Sequence, residues 1–497
     1  MSVQLANGRI ETVNLKPVAC FSAMRRISLA MLQKKLRMLL LAAAVLGGGW
    51  MVNADAQQLP PGSEPPKVET PAPAATAPAA PAPAAATPPA PQVDKGDTAW
   101  ILTSAALVLM MTIPGLFLFY GGLVRGKNVL GTIMQSFVIV ALISLQWVLF
   151  GYSLAFGPDV NQVIGSLAWF GLNGVGTEPN PNYAATIPHL TFMAYQMMFA
   201  IITPALITGA IADRAKFSTF IVFVLLWATF IYDPLAHWVW GKGWLGTMGA
   251  LDFAGGTVVH ISSGASALVA CLILGRRVGY PHEGMAPHNL PFAVIGASLL
   301  WVGWFGFNAG SALAADGLAT TAFVTTNTAA AAATLAWMFT EWATRGKPTA
   351  LGAASGAVAG LVSITPAAGF VSPLASIIIG IGGGVLCYTA CNFKTKCGYD
   401  DSLDVVGVHG VGGTWGALAT GLFASKAINP AGNDGLFFGN PGQLWIQFIG
   451  VAATIIFAVV GTMIILGILK AVMGLRVSEE DERVGLDLSQ HNERAYG

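Results

Sequence analysis

Charged side chains are scarce in this chain of 497 residues. Asp, Glu, Lys and Arg together make up 10% of it, whereas soluble domains carry about 25%. Hydrophobic residues account for 54%. This composition excludes an ordinary soluble domain and predicts a membrane protein. The formal net charge is only +1, so no basic bias indicates a nucleic-acid partner.

Cysteine is also scarce, and its positions do not indicate a disulfide framework. The five thiols are Cys20, Cys271, Cys387, Cys391 and Cys397. Four of them lie in or beside apolar segments, as buried core thiols do. The last three could be metal ligands, but no histidine joins them at a ligand spacing. We therefore expect no metal and no cofactor, and without a nucleophile or metal constellation we expect no enzyme.

The first part of the chain is expected to lie outside the membrane domain. Residues 1–56 are typical of a signal peptide, because a basic stretch precedes the apolar run 38–52 and an Ala-Asp-Ala cleavage site. An uncleaved twelfth helix is the alternative. Residues 57–97 are rich in Pro and Ala, a composition that cannot bury a core. They are predicted to be a disordered periplasmic linker.

Eleven apolar segments follow between residues 98 and 472, and most have the roughly 20 residues that a bilayer requires. Their approximate spans are 98–123, 128–156, 188–211, 217–240, 254–274, 291–313, 319–343, 349–368, 371–392, 404–424 and 443–472. The last segment would be about 45 Å long as a helix, so we expect it to be strongly tilted. The sequence predicts an all-α membrane protein with eleven transmembrane helices and a tail at 473–497.

Lys and Arg are concentrated in every second loop and in the tail. By the positive-inside rule these loops are cytoplasmic, which predicts a bacterial inner-membrane protein with a periplasmic N-terminus and a cytoplasmic C-terminus. An outside start and an inside end require an odd number of spans, and eleven satisfies this condition.

Two apolar segments begin with an acid followed by a Val-His pair. Asp252 precedes His260 in the fifth segment, and Asp404 precedes His409 in the tenth. The fifth segment runs inwards and the tenth outwards, as expected of an inverted pseudo-two-fold repeat of five plus five helices with a site between the halves.

His260 and His409 are ionisable side chains inside apolar segments, which makes them candidates for a functional site. A neutral imidazole offers one donor and one acceptor, so a pair along a narrow lumen could pass a proton. Helix packing and haem ligation are the alternatives. His237 lies near the outer end of its segment, where interfacial packing is expected.

Several stretches carry distinctive motifs. They are FYGGLVRGKNVL (119–130), GYSLAFG (151–157), DFAGGTVVH (252–260), PHNLP (287–291), GWFGFNAGSA (303–312), GLVSITPA (360–367), DVVGVHGVGG (404–413) and GLRVSEEDERVGLD (474–487). Together they resemble the bacterial ammonium transporter (Amt) family over about residues 98 to 496.

The resemblance implies an outer ammonium recruitment site formed by Phe199, Trp240, Ser311 and Asp252. Phe199 also matches one half of an aromatic gate, and Phe307 matches its stacking partner. Asp252 matches the buried acid below the recruitment site and is expected to act indirectly, as a helix cap whose charge favours a cation.

The resemblance also implies a pore lined by His260, His409, Trp304 and Thr365. The sequence departs from the expected pattern at Tyr195, where Phe is expected, and at Met197-Met198, where small residues can occur. These departures could alter the vestibule but leave the pore residues intact. Asp233, just ahead of the outer site, could add negative potential near the entrance.

The expected function is transport of ammonium or methylammonium across a lipid membrane into the cell, with deprotonation and passage along the histidine pair. A homotrimer and a P-II type nitrogen regulatory protein on the cytoplasmic face are implied partners. A Rhesus-type channel for neutral ammonia or carbon dioxide and an ammonium sensor are the alternatives. A sodium-coupled transporter is disfavoured because no sodium cage is evident.

Overall fold

The computed structural model describes residues 92–496, which are mainly helical. The predicted signal peptide at 1–56 and most of the predicted linker at 57–97 lie outside the described residues. The helix that the sequence places from residue 98 begins at Lys95, because the Asp94 carboxylate accepts a hydrogen bond from the Asp97 N–H (2.8 Å) and so caps its first turn.

The first half of the described chain contains eight α-helices and two small hairpins. The helices are α1 Lys95–Met110, α2 Phe117–Leu123, α3 Val129–Gln146, α4 Tyr152–Phe156, α5 His189–Ile211, α6 Phe217–Trp227, α7 Asp233–Val239 and α8 Trp244–Met248. The antiparallel strands are β1 Asp159–Val160 with β2 Ile164–Gly165, and β3 Pro179–Asn180 with β4 Ala184–Pro188. Both hairpins lie on one face, which we call the hairpin face.

The second half contains the remaining helices. They are α9 Ser262–Leu274, α10 Leu290–Ala309, α11 Gly317–Arg345, α12 Ala350–Ile364, α13 Pro373–Cys397, α14 Gly412–Phe423, α15 Pro441–Val472, α16 Glu479–Val484 and α17 Leu486–His491. Short 3₁₀ turns lie at Leu167–Leu172, Gly310–Ala312 and Leu436–Phe438.

Five π-helical turns interrupt the long apolar segments, which the sequence pattern did not predict. They are Met111–Leu116, Trp147–Gly151, Ala228–Tyr232, Gly256–Ile261 and Val406–Val411. In the first, Ile113 has extended torsions (φ −133°, ψ 111°) because the following Pro114 disfavours the helical region. The last two turns carry His260 and His409.

Eight helical segments of the described chain are long and apolar enough to cross a membrane. They are Lys95–Leu123, Val129–Phe156, His189–Ile211, Phe217–Met248, Gly256–Leu274, Leu290–Ala312, Pro373–Cys397 and Pro441–Val472. The last has 32 residues, or about 48 Å, which confirms the predicted length. The other three predicted segments coincide with α11, with α12, and with the turn Val406–Val411 followed by α14.

Small residues set the distance between helices in the interior. A Cβ on Gly360 would lie 2.6 Å from the Ala329 carbonyl oxygen, and a Cβ on Gly384 would lie 2.6 Å from that of Ala333. Such contacts bring α12 and α13 against the backbone of α11, as small residues do in membrane helix packing.

The turns that carry the two histidines cross at an even closer contact. A Cβ on Gly264, near the start of α9, would overlap the backbone of Gly410. A Cβ on Gly413 would lie 2.9 Å from the Gly256 carbonyl oxygen and from His260 Cβ. Glycine is therefore required where the two turns meet.

Charged residues gather on the face opposite the hairpins, which we call the tail face because residues 473–496 pack there. Arg277 donates to both carboxylate oxygens of Asp400 (2.8 and 2.9 Å). Burial and the hydrogen bonds from Arg277 act in opposite directions on Asp400, and the net effect lowers its carboxyl pKa. The tail docks on the same face, where the Leu486 N–H donates to Asn128 Oδ1 (2.8 Å) and the Gly131 N–H to Asp487 Oδ1 (2.8 Å).

Gly264→Ala is expected to destabilise the domain, because the added methyl overlaps the Gly410 backbone and overpacking costs about 1–3 kcal/mol. The unfolding temperature in detergent should fall by about 2 °C or more. Gly467→Ala is the matched control, since nothing lies within 4 Å of the Cβ position there. Equal unfolding temperatures for both variants would contradict the proposed crossing.

Candidate functional site

The two histidines predicted to share a path lie in contact inside the described domain. His260 Nδ1 is 3.3 Å from His409 Nδ1, and the ring centroids are 5.3 Å apart. Both side chains are buried. His260 Nε2 is buried with no hydrogen-bond partner among residues 92–496, so one polar atom is left available to a small molecule.

Asp252 holds the turn that carries His260. Its carboxylate accepts backbone hydrogen bonds from Gly255 (2.9 Å), Gly256 (2.5 Å), Thr257 (2.9 Å) and Val258 (3.1 Å), and one more from the Thr257 hydroxyl. Four backbone N–H groups at a helix start, which have no acceptor within the helix, thereby gain a hydrogen-bond acceptor. Because these five donors come from residues 255–258, the carboxylate is engaged by the turn that it caps.

The acid that caps the His409 turn is Asp401, which the sequence analysis missed. Its Oδ2 accepts a hydrogen bond from the Val406 N–H (2.7 Å). Asp404, matched to Asp252 from the sequence, instead pairs with Lys394 (2.6 Å). The eight-residue spacing from Asp252 to His260 recurs from Asp401 to His409, and this spacing could have identified it. Burial raises the Asp401 pKa to about 6, with Lys394 opposing the shift.

The Phe199 and Phe307 rings, predicted to form a gate, lie against each other in a tilted arrangement. Their ring centroids are 4.4 Å apart at an interplanar angle of 38°, and both side chains are buried. Phe307 also stacks on His260, with centroids 6.1 Å apart. The aromatic pair thus adjoins the histidine pair.

Trp240 and Ser311 lie beside this aromatic pair. The Trp240 indole N–H donates to the Asp252 carbonyl oxygen (2.9 Å), and its ring meets the Phe199 ring edge-on at 5.9 Å. The Ser311 hydroxyl donates to the Phe307 carbonyl oxygen (2.9 Å). The structure therefore brings together all four residues expected at the recruitment site.

Tyr195 joins the same cluster through a hydroxyl that Phe could not supply. This hydroxyl lies 2.9 Å from the Gly306 carbonyl oxygen, 2.8 Å from that of Phe307 and 3.2 Å from Ser311 Oγ. These carbonyls belong to the last turn of α10, where the Gly310 N–H and the Ser311 hydroxyl also donate to them. The Tyr195 hydroxyl thus adds a hydrogen bond at this helix end, next to Phe199 and Phe307.

Trp304 and Thr365 lie next to the histidines and are joined by a hydrogen bond. The Trp304 indole N–H donates to Thr365 Oγ1 (2.9 Å), and the Thr365 hydroxyl donates to the Leu361 carbonyl oxygen (2.7 Å). The Trp304 ring stacks on His260 at 5.5 Å between centroids. Thr365 therefore orients Trp304.

A narrow apolar cavity connects these side chains. Its walls comprise Met111, Leu116, Phe119, Ile202, Leu206, Val259, His260, Leu300, Trp304, Phe307, Val358 and His409. A second cavity towards the tail face shares Phe119, Val358 and His409 with the first and also reaches Asp404. The shared walls place the two cavities next to each other at His409.

Asp233 is completely buried, and the Gln146 side-chain amide donates to its Oδ2 (2.7 Å).

The described part of the chain contains no group of three or more His, Cys, Asp or Glu able to hold a metal ion.

Comparisons with known proteins agree with this arrangement. The model of the Ammonium Transporter Family matches residues 99–496. The chain is 55% identical to an ammonium transporter of Bacillus subtilis over 404 residues, covering 81% of this chain and 98% of that protein. It is 50% identical to the ammonium transporter Amt1 of Archaeoglobus fulgidus over 401 residues, covering 81% and 99%.

Solved structures show the same fold. The crystal structure of Saccharomyces cerevisiae Mep2 superposes with a TM-score of 0.74 at 38% identity, covering 78% of this chain and 89% of that one. A structure described as a sensor Amt protein superposes with a TM-score of 0.73 at 31% identity, covering 80% and 98%. The protein is therefore a member of the ammonium transporter family.

Proposed function

We propose that this chain transports ammonium into the cell along the path from Trp240 to the tail face. Membership of the ammonium transporter family supports the substrate. The observation that carries the mechanism is the contact between His260 and His409 inside an apolar cavity, directly behind the stacked Phe199 and Phe307 rings.

The first step is recruitment of the cation on the hairpin face. The faces of Trp240 and Phe199 attract ammonium by about 0.5–2 kcal/mol, and Ser311 Oγ can accept a hydrogen bond. Asp252 adds negative charge through a carboxylate that is fully occupied by its own turn. The indole N–H of Trp240 is also occupied, so this ring binds through its face.

The second step is passage of the gate and loss of a proton. The stacked Phe199 and Phe307 rings block the path, so passage requires a ring to swing aside. A bare ammonium ion in the apolar cavity behind them would be costly. Breaking one N–H bond leaves the electron pair on nitrogen as ammonia and releases one proton, which the histidine pair accepts and relays. Ammonia regains a proton beyond the pore.

The histidine pair then guides ammonia through the cavity. His260 Nε2, which has no partner in the described chain, is available for a hydrogen bond to ammonia. Potassium is rejected on this mechanism, since it has no proton to release and no hydrogen bond to donate.

The proposed architecture has eleven transmembrane helices in an inverted repeat of five plus five. The eight apolar segments support it, and α11, α12 and the segment ending in α14 complete the count. α11 is rich in Ala and Thr, small residues that allow neighbouring helices to approach closely. The proposed order is a signal peptide (1–56), a periplasmic linker (57–97), the membrane domain (98–472), whose last helix is strongly tilted, and a cytoplasmic tail (473–497).

The proposed setting is a bacterial inner membrane, with the tail face in the cytoplasm and a homotrimer as the assembly. Transport, not enzymatic catalysis, is the proposed activity. A sensor role is the second candidate, because one structural relative is described as a sensor Amt protein. A Rhesus-type channel for neutral gas is the third, and the recruitment cluster around Trp240 and Ser311 favours ammonium over it.

Proteoliposomes test the charge that crosses the membrane and the roles of the gate and histidines. Addition of ammonium to the wild type is expected to produce an inward current. His260→Ala and Phe199→Ala should each lower ammonium uptake or selectivity over potassium by about tenfold or more, equal to about 1.4 kcal/mol.

His282→Ala is the control, since His282 lies in a loop. Ammonium uptake without a current would indicate neutral transport. Unchanged rates and unchanged selectivity over potassium in both variants would refute the proposed pore.

Asp252→Ala is expected to abolish transport and lower the unfolding temperature. Five donors lose their acceptor, and each buried unsatisfied group costs about 1–3 kcal/mol. Asp434→Ala, which removes an exposed acceptor for the Lys426 N–H, should be near wild type. Normal stability and uptake in Asp252→Ala would show that the cap is dispensable.

A P-II type nitrogen regulatory protein is proposed to bind the tail face. A pull-down with the immobilised full-length protein should recover it from the cytosol of bacterial cells, in amounts that differ between nitrogen-rich and nitrogen-starved cultures. Glu482 holds the tail in place through Arg476 (2.6 Å) and the Val278 N–H (2.6 Å), so Glu482→Gln should change the amount recovered. Failure to recover such a protein from either culture would argue against this partner.

A further inference from the structure

One buried histidine plays no part in the path described above. His237 lies on α7, three residues before Trp240, and is 0% exposed. Its ring Nδ1 is 2.9 Å from the Ala155 carbonyl oxygen, and its Nε2 is 2.8 Å from Asp159 Oδ1. The interfacial packing expected from the sequence gives no reason for two such contacts.

Both neighbours of the ring can only accept hydrogen bonds. A carbonyl oxygen has no proton, and the hydrogen bond from His237 lowers the Asp159 pKa, which favours the carboxylate. A neutral imidazole carries one N–H, so either tautomer would turn a lone pair towards an oxygen. The doubly protonated ring satisfies both contacts and forms a charge-assisted pair.

The pair clasps the first hairpin to the end of α7. Asp159 opens β1, and two further hydrogen bonds join the same parts: the Trp238 indole N–H donates to the Val163 carbonyl oxygen (2.8 Å), and the Trp244 N–H to that of Gln162 (3.1 Å). We call this set of contacts the hairpin clasp.

The backbone of Gly241 packs closely against the His237 ring. A Cβ on Gly241 would lie 2.7 Å from His237 Nδ1 and would overlap the Ala155 carbonyl oxygen. A positive ring near the end of a helix also meets carbonyl dipoles that favour it.

The end of α7 leads directly to the recruitment site. The Trp240 N–H donates to the Ala236 carbonyl oxygen (2.8 Å), and its indole N–H to that of Asp252 (2.9 Å). Loosening α7 at His237 therefore acts on the Trp240 ring one turn later.

We propose that His237 is a positioning residue for recruitment: as an imidazolium paired with Asp159 it fixes the Trp240 ring, and it makes ammonium recruitment sensitive to pH on the hairpin face. This inference rests on the proposed function. A neutral ring can keep only one of the two hydrogen bonds, so recruitment weakens when the imidazolium is lost.

The other titratable or charged groups on the elements around His237 have partners of their own. Asp233 pairs with Gln146, Tyr152 with His189, Tyr183 with the Phe156 carbonyl oxygen, Lys242 with Asn182, and Asp252 with its own turn. In the described chain, the charge in contact with His237 is therefore Asp159.

Asp159→Asn separates this inference from a general structural role. An asparagine amide can donate to a neutral Nε2, so the contact can persist without the ring charge. In cells or proteoliposomes, KM and maximal rate for labelled methylammonium are measured against outer pH. The wild-type KM should rise at alkaline pH, whereas Asp159→Asn should have a KM about threefold higher or more at neutral pH, a flatter profile and a nearly unchanged maximal rate.

Glu178→Gln is the matched control, because Glu178 is a carboxylate in the same outer loop, and it should reproduce the wild-type profile. A KM and a pH profile of Asp159→Asn equal to the wild type would overturn the inference. A wild type that moves no methylammonium would instead refute the proposed function, so the two failures are distinguishable.

Hydrogen–deuterium exchange gives a readout that does not depend on transport. At one neutral pH, amides of residues 236–243 in the full-length protein should exchange faster in Asp159→Asn than in the wild type or in Glu178→Gln. Equal exchange rates in the three proteins would show that the Asp159 charge does not stabilise the hairpin clasp. Faster exchange with an unchanged KM would show that the clasp does not position Trp240, and this too would overturn the proposal.

Discussion

The crossing of the two segments that carry His260 and His409, where Gly264 near the start of α9 meets the Gly410 backbone, sets the distance between the two histidines. Side chains at this crossing would separate the turns, and the 3.3 Å contact between His260 and His409 would be lost. Each turn needs a cap, because its first N–H groups have no helical partner. Asp252 and Asp401 supply these caps, so the acids and the histidines form one arrangement.

Because lipid surrounds the domain, an interior polar group without a hydrogen-bond partner has a high free-energy cost. Nearly all polar groups of the site have hydrogen-bond partners within the protein. The Trp240 and Trp304 indoles, the Thr365 hydroxyl and the Asp252 carboxylate all have partners. What remains for a substrate is ring faces, the Ser311 oxygen and a histidine nitrogen. Such a surface suits a small cation that can lose its charge, and it offers little to an ion that cannot.

Much of the fold could be predicted from hydrophobicity alone, because eight segments are apolar over a full membrane width. α11 is less apolar, and its assignment depended on the alternation of charged loops. The π turns could not be predicted, since a single extra residue per turn hardly changes the periodicity. Motif resemblance singled out Phe199, Phe307 and the two histidines. Asp401 could have been found from its eight-residue spacing to His409. The contacts of the Tyr195 hydroxyl and the His237–Asp159 pair join residues distant in sequence and became visible only in the structure.

The Nδ1-to-Nδ1 contact has a consequence for symmetry. If both rings are neutral, one Nδ1 carries the shared proton and the other accepts it. The first ring then has a bare Nε2, and the second has a protonated one. Two side chains in matching positions thus present opposite hydrogen-bonding character to the lumen. At any moment the contact between the two rings therefore has a direction, and moving protons within the pair reverses that direction.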